Sequence, residues 1–414
     1  MASASRKYDL SSQAFFANAY ATFAQMREQD PVYRQPAVDG EKPMWFVTRY
    51  EDVEAVLLDD ERFVRDPRLA FPPAFFAGRE AEMPETIKWV ESHLLNHDGE
   101  DHRRLRRLVS KAFTPRMIER QRPRIQEIAD ALLDPVVADG EMELVSTFAF
   151  PLPITVIAEL LGIPAADRDQ FREWSEVFLH ATLGIVDEAL YLESVTEFVA
   201  YFLALIEERR GEPGEDLISA LVAVEDGGDT LSEPELTSMA AALMIAGHET
   251  TVGLIGNAMV ALLGHPDQRA LVERDPSLLP RAVEELIRWD GPVERPLHRW
   301  AAEDVELRGQ TIRRGESVMV ILGSADRDPE RFEAPDELDI TAERDARHIG
   351  FSRGSHFCLG APLARLEGEI ALETLLRRLP GVRLAVAPEE LRWRTVPFVR
   401  TFETIPIVWD VSAA

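Results

Sequence analysis

Cysteine is nearly absent: a single residue, Cys358, occurs in 414. One cysteine forbids an intramolecular disulfide. It also excludes iron–sulfur clusters and zinc fingers, which need several thiolates. The amino-terminal stretch MASASRKYDLSS lacks the apolar run of a secretion signal, so a cytoplasmic location is expected. Basic charge is scarce as well, with 45 Lys and Arg against 73 Asp and Glu and a formal net charge of -28. A field of that sign repels phosphate backbones and anionic lipid surfaces, which argues against nucleic acid or a membrane as partner. No internal repeat or low-complexity block is present. The Gly- and Pro-containing segment at 211–214 and the Gly-rich 226–228 are too short to link domains.

What is abundant is helical periodicity, for example at 51–59, 153–161 and 188–208. Strand-like alternation is confined to 43–48, 305–322 and 404–409. With hydrophobic residues at 46%, the chain can bury a sizeable core. The expectation is a single domain over 1–414, mainly α with small β-sheets and no fused reductase.

One helix stands out. Ser232 and Glu235 offer a capping box, and an apolar run from Met239 to Leu263 stops at Gly264. Roughly 30 residues at about 1.5 Å each make a rod about 45 Å long. His248, Glu249 and Asn257 interrupt the run, so it reads as a buried spine rather than a membrane span. Within it lies AGHETT, 246–251. Gly247 weakens a helix by about 1 kcal/mol relative to alanine and needs a packing or ligand reason. Thr250 can turn its hydroxyl to the carbonyl of Ala246, opening the helix locally. Glu249 is a carboxylate among apolar neighbours, costly unless it is paired or put to use. A lone His248 has no second ligand at metal spacing and reads as structural.

Cys358 sits in FSRGSHFCLG, 351–360. As a nucleophile it would need His356 as base, with no third group to orient the pair. As a metal ligand it accounts for more of its surroundings. Gly354 and Gly360 let the backbone approach a flat group, Phe351 and Phe357 shield the sulfur, and the helix that follows favours a negative charge at its start. A thiolate on haem iron fits this neighbourhood.

The same stretch resembles the haem-binding loop of cytochromes P-450, the haem-thiolate monooxygenases, with the pattern F-x-x-G-x-H-x-C-x-G. AGHETT resembles the oxygen-binding helix of that family, and Glu285 and Arg288 in EELIR match its E-x-x-R pair. The resemblance extends from about residue 97 to the carboxy-terminus. It implies the family's fold, with haem between a long central helix and a Cys-containing loop. It also implies haem b as cofactor, held non-covalently apart from the bond from Cys358 to iron.

Carried over residue by residue, the resemblance implies that His102, Arg106, Arg299 and His356 hold the haem propionates. Phe351 and Gly360 would flank the thiolate, and Ala246 and Gly247 would make room for oxygen. Glu249 and Thr250 would deliver the protons that cleavage of dioxygen needs. Ala242, Ile245, Val293, Leu297 and Phe398 would line the substrate pocket. The implied reaction inserts one oxygen atom into a mainly apolar molecule (a macrolide, steroid, terpene or fatty acid) and reduces the other to water. A haem sensor or carrier would keep Cys358 without needing Glu249 and Thr250. Electrons would come from separate ferredoxin and ferredoxin reductase proteins. Residues 102–124 hold eight Arg and Lys111 against one Glu, and those not assigned to propionates would form the docking face for an acidic ferredoxin. Two departures stand out: Ser352 where the family often has Gly, and Asp326 where it usually has Asn in Asn-Arg-Asp-Pro. Arg344 is the candidate for the arginine that completes the Glu285–Arg288 pair.

Overall fold

The computed structural model of the protein describes residues 7–36, 43–76, 83–182, 186–344, 346–395 and 399–411. The capping box at Ser232 forms. The Ser232 amide donates to Glu235 Oε2 at 2.8 Å, and the Glu235 amide donates to Ser232 Oγ at 3.4 Å. Two amides of the first turn, which has no carbonyls to serve them, are thereby satisfied. One helix, Glu233–Gly264, then runs for 32 residues. By length and composition this helix and Glu188–Gly211 could each cross a membrane, yet 78% of the former's most apolar window is buried inside the protein.

The chain folds as two compact units, and the boundary falls within the long helix. One comprises Met1–Ala70, Arg122–Pro151 and Thr250–Ala414, and it contains all the sheets among the described residues. Its strands are β1 (Val32–Gln35), β2 (Met44–Val47), β3 (Phe63–Val64), β4 (Glu141–Glu143), β5 (Arg299–Ala301), β6 (Val305–Leu307), β7 (Gln310–Ile312), β8 (Ser317–Val320), β9 (Arg383–Leu384) and β10 (Pro406–Val408). They form a five-stranded sheet in the order β1-β2-β8-β5-β3, a three-stranded sheet β4-β10-β9 and the hairpin β6-β7.

The strand-like run expected over 305–322 is broken for a local reason. Arg308 and Gly309 take φ of 47° and 75° between the paired Leu307 and Gln310. Positive φ at both central residues matches the twist of a two-residue hairpin, so the chain reverses there. β8 then joins the large sheet, parallel to β2 with Val47 opposite Val320 and antiparallel to β5 with Val318 opposite Arg299. Trp45, Val47, Val53, Leu57, Phe63, Val318, Phe332 and Ile349 belong to one core cluster in this unit.

The second unit, Phe71–Gln121 with Leu152–Glu249, is helical. Helix Glu188–Gly211 packs on Arg168–Thr182, Glu85–Glu91 and Leu217–Ala223, and the last of these also meets Gly99–Ala112. Trp174 and Phe202 each pack a ring against Phe198, with centroids 5.6 and 4.5 Å away.

Candidate functional site

In the sheet-bearing unit, Phe351, His356, Cys358 and Gly360 share one loop. Two left-handed residues shape it, Ser352 at φ 65° and Gly354 at φ 73°. A Cβ on Gly354 would lie 2.5 Å from the Leu57 carbonyl oxygen, so only glycine fits that approach. The Phe357 amide donates to the Gly354 carbonyl at 3.1 Å and the Cys358 amide to the Phe351 carbonyl at 3.0 Å. Helix Ala361–Arg378 starts two residues past Gly360's neighbour Leu359, so Cys358 stands just before a helix N-terminus, where a thiolate is favoured. None of residues 351–360 is buried, although three of them are Phe351, Phe357 and Leu359.

Behind the loop stands helix Leu279–Asp290. Arg288 forks onto Glu285 with both contacts at 2.7 Å, and Arg344 forks onto it with contacts of 3.1 and 3.0 Å. Arg344 therefore completes the pair. Burial pushes the Glu285 carboxyl up, but Arg288 and Arg344 outweigh it and leave the group below its ordinary range. Arg288 also donates to the carbonyls of Asp326, Pro335 and Glu337, tying the helix to the segment that leads into the Cys358 loop.

Arg299, on β5, is 3% exposed and donates to the Phe63 carbonyl at 3.0 Å. Its neighbour His298 is pushed down to about 4 by burial and by Arg65. Val293 is half-buried against the core cluster, whereas Leu297 is exposed. Phe398 lies outside the described residues.

Along the long helix every residue from Leu236 to Met259 is buried except Ile245, Ala246, Gly247 and Thr250. Ala242 is among the buried ones. A Cβ on Gly247 would sit 3.3 Å from Ile157. His248 is structural: Nδ1 donates to the Met244 carbonyl at 2.8 Å and Nε2 meets Ser175 Oγ at 3.0 Å. Glu249 is 6% exposed, with Oε1 3.6 Å from His248 Nε2.

His102 and Arg106 lie on helix Gly99–Ala112, with His102 2% exposed and Arg106 half-buried. Much of the basic excess on this helix is answered within the same unit, which a reading along the chain misses. Arg104 pairs with Asp229 and Glu235, and Arg107 and Lys111 converge on Asp226 at 2.6 and 2.7 Å. Arg103, Arg116 and Arg120 remain exposed, with no ion pair among the described residues. The docking face expected of residues 102–124 is thus narrower than their composition implies.

Within the sheet-bearing unit the residues fit an iron porphyrin: the thiol stands before a helix start for the iron, and Arg299 and His356 suit carboxylates.

Comparisons with known proteins agree. The cytochrome P-450 family model matches residues 188–381. Cytochrome P-450 107B1 of Saccharopolyspora erythraea is 46% identical over 397 residues, 95% of this chain and 96% of its own. The mycinamicin IV hydroxylase/epoxidase of Micromonospora griseorubida is 44% identical over 389 residues, 94% of each chain. The solved structure of PksS, the cytochrome P-450 of the Bacillus subtilis bacillaene polyketide synthase, matches with a TM-score of 0.89 at 40% identity over 97% of this chain and 100% of its own. With the thiolate loop, the Glu285–Arg288–Arg344 cluster and this similarity along nearly the whole length, the chain belongs to the cytochrome P-450 family, monooxygenases that carry haem b on a cysteine thiolate.

Proposed function

We propose that this monooxygenase hydroxylates or epoxidises a bulky, mainly apolar molecule of the polyketide kind, with two electrons supplied by a separate ferredoxin and its reductase. The observation that carries the reading is the uncovered stretch of the long helix, where small and apolar residues adjoin an acid and an alcohol. The names of the similar mycinamicin IV hydroxylase/epoxidase and bacillaene-synthase PksS support the substrate class. The exposed Arg103, Arg116 and Arg120 support an acidic electron donor, because they oppose the charge of the rest of the chain.

In this reading Cys358 is the iron ligand, with Phe351 and Gly360 beside it. His102, Arg106, Arg299 and His356 hold the propionates. When bound, the haem activates dioxygen for insertion of one atom into the substrate. The protein's task is to place the substrate against Ala242, Ile245, Val293, Leu297 and Phe398, to limit water, and to release protons singly. Glu249 has few routes to solvent, and its carboxyl passes a proton to the Thr250 hydroxyl, which hands it on. Ala246, exposed and with no side chain beyond Cβ, leaves space beside them, and Gly247 next to it packs against Ile157.

Thr250→Ala and Glu249→Gln test the relay. General acid catalysis is worth about 10² to 10⁴ in rate. Both variants are expected to bind haem and substrate and still consume electrons, while the ratio of product to electrons falls and peroxide appears. A wild-type ratio in both variants means the two residues only pack the helix. Cys358→Ser is expected to abolish the thiolate-type spectrum of the reduced carbon-monoxide complex, and an unchanged spectrum sinks the ligand assignment.

A further inference from the structure

Glu284 directly precedes the Glu285 of the E-x-x-R pair but takes different partners. Arg365, on helix Ala361–Arg378, forks onto it, with Nη2 2.9 Å from Oε2. His348 approaches the same carboxylate, Nε2 to Oε2 at 3.1 Å. The tautomer follows from the other ring nitrogen: His348 Nδ1 accepts from the Gly350 amide at 3.1 Å, so the proton sits on Nε2 and is donated to Glu284. Burial pushes the Glu284 carboxyl up, but the bonds from His348 and Arg365 outweigh it and bring it to about 2.

The two donors meet again at Phe351. The Arg365 guanidinium carbon stands 4.4 Å from the centre of that ring, a cation–π distance, and the His348 ring lies 5.9 Å away. Phe351 in turn accepts the Cys358 amide through its carbonyl. Carboxylate, guanidinium, phenyl ring and cysteine backbone thus form one continuous chain of contacts.

We propose that Glu284, Arg365 and His348 are positioning residues that clamp Phe351 within the cysteine loop, and that the opposed charges of Glu284 and Arg365 set how readily the haem iron accepts an electron. The inference rests on the reading that Cys358 is the iron ligand. Reduction adds one negative charge to the haem–thiolate unit. A cation beside the loop favours that state and an anion disfavours it, and in the intact cluster Glu284 screens Arg365.

The test is the midpoint potential of the holoenzyme in Glu284→Gln, Arg365→Gln and the double variant. Glu284→Gln leaves Arg365 unscreened, so its ferrous/ferric equilibrium constant is expected to rise by about threefold or more, an upward shift of roughly 30 mV at ~59 mV per tenfold for one electron. Arg365→Gln is expected to move it downward by a similar factor, and the double variant to return toward wild type. A purely structural role would shift both single variants in the same direction together with their unfolding midpoints, and that result overturns the proposal. So does a potential unchanged in both. If a charge-removing variant fails to retain haem, Arg365→Lys decides: it keeps the charge and is expected to hold the potential within that threefold, and a larger shift counts against the charge argument. A wild-type protein without a thiolate-type carbon-monoxide spectrum would instead overturn the ligand reading, so the two failures are distinguishable.

Discussion

Asp326, the aspartate standing where the family usually has asparagine, gives the chain a calculable pH liability. Its side chain is 2% exposed, and Oδ1 accepts from the Ile349 amide at 2.7 Å. Burial pushes its carboxyl from 3.8 up to about 6, against smaller downward pulls from His348, the Ile349 amide, Arg288 and Arg353. The direction of the linkage follows from a raised folded-state pKa. Below about pH 4 both folded and unfolded chains hold the proton, and the group contributes no difference. Between about 4 and 6 the folded chain retains a proton that the unfolded chain has released, so stability falls as pH rises. Above 6 the penalty is complete. A shift of about two units at ~1.36 kcal/mol each sets it near 3 kcal/mol, as an upper figure.

Asparagine keeps the oxygen that accepts the Ile349 amide and cannot ionise. Asp326→Asn is therefore expected to raise stability by about 2 to 3 kcal/mol at pH 7.5, reduced by whatever Arg288 and Arg353 lose in a counter-charge. At pH 4 the gain should shrink to nearly nothing. The assay is the urea midpoint of the holoenzyme and the variant at several pH values from 4 to 7.5. A difference that stays constant across this range refutes the argument. So does a variant less stable at pH 7.5, because the aspartate would then be a net contributor through its charge.

Two further predictions concern the loop and the basic helix. Ser352 bears a side chain in the left-handed region, which costs roughly 1 to 2 kcal/mol, so Ser352→Gly should be neutral or stabilising by up to about 1 kcal/mol. Gly354→Ala should lose at least about 2 kcal/mol because its Cβ would strike the Leu57 carbonyl, and equal urea midpoints for Gly354→Ala and wild type would discount that approach. Arg103→Glu should slow ferredoxin-driven turnover and flatten its salt dependence without changing stability. Arg107→Glu breaks the contact with Asp226 and should lower stability as well; if neither variant alters turnover at low salt, this helix does not face the electron donor.

How much of this was legible in the sequence depended on the range of the interaction involved. The long helix announced itself because its signals are local: a capping box within four residues, a long and mostly apolar run and a terminal glycine. Observed bounds of Glu233–Gly264 match that reading closely. The cysteine loop was legible through its resemblance to the family's haem-binding pattern, and within it Gly354 carries a backbone requirement, with φ of 73° and the Leu57 carbonyl 2.5 Å from where a Cβ would stand. β3 and β9, of two residues each, carry no alternation to read, and β1 forms only because β2 and β8 provide a sheet for it to join. The pairing of Arg104 with Asp229 spans 125 positions, and nothing in either segment names the other.

Glu284 and Glu285 mark that limit most sharply. They are the same residue type, adjacent on one helix and about 100° apart around its axis. The E-x-x-R spacing assigns one of them to Arg288, yet it leaves the other looking like an ordinary surface charge. In the fold Glu285 is buried under Arg288 and Arg344, while Glu284 is only half-buried, facing Arg365 and His348. Arg365 lies 81 residues away and His348 lies 64. Neither distance has a periodicity, because it is set by the path of the chain through the loop that carries Cys358. A local pattern can identify which residue must touch the iron. The charges that surround its support are chosen by tertiary packing.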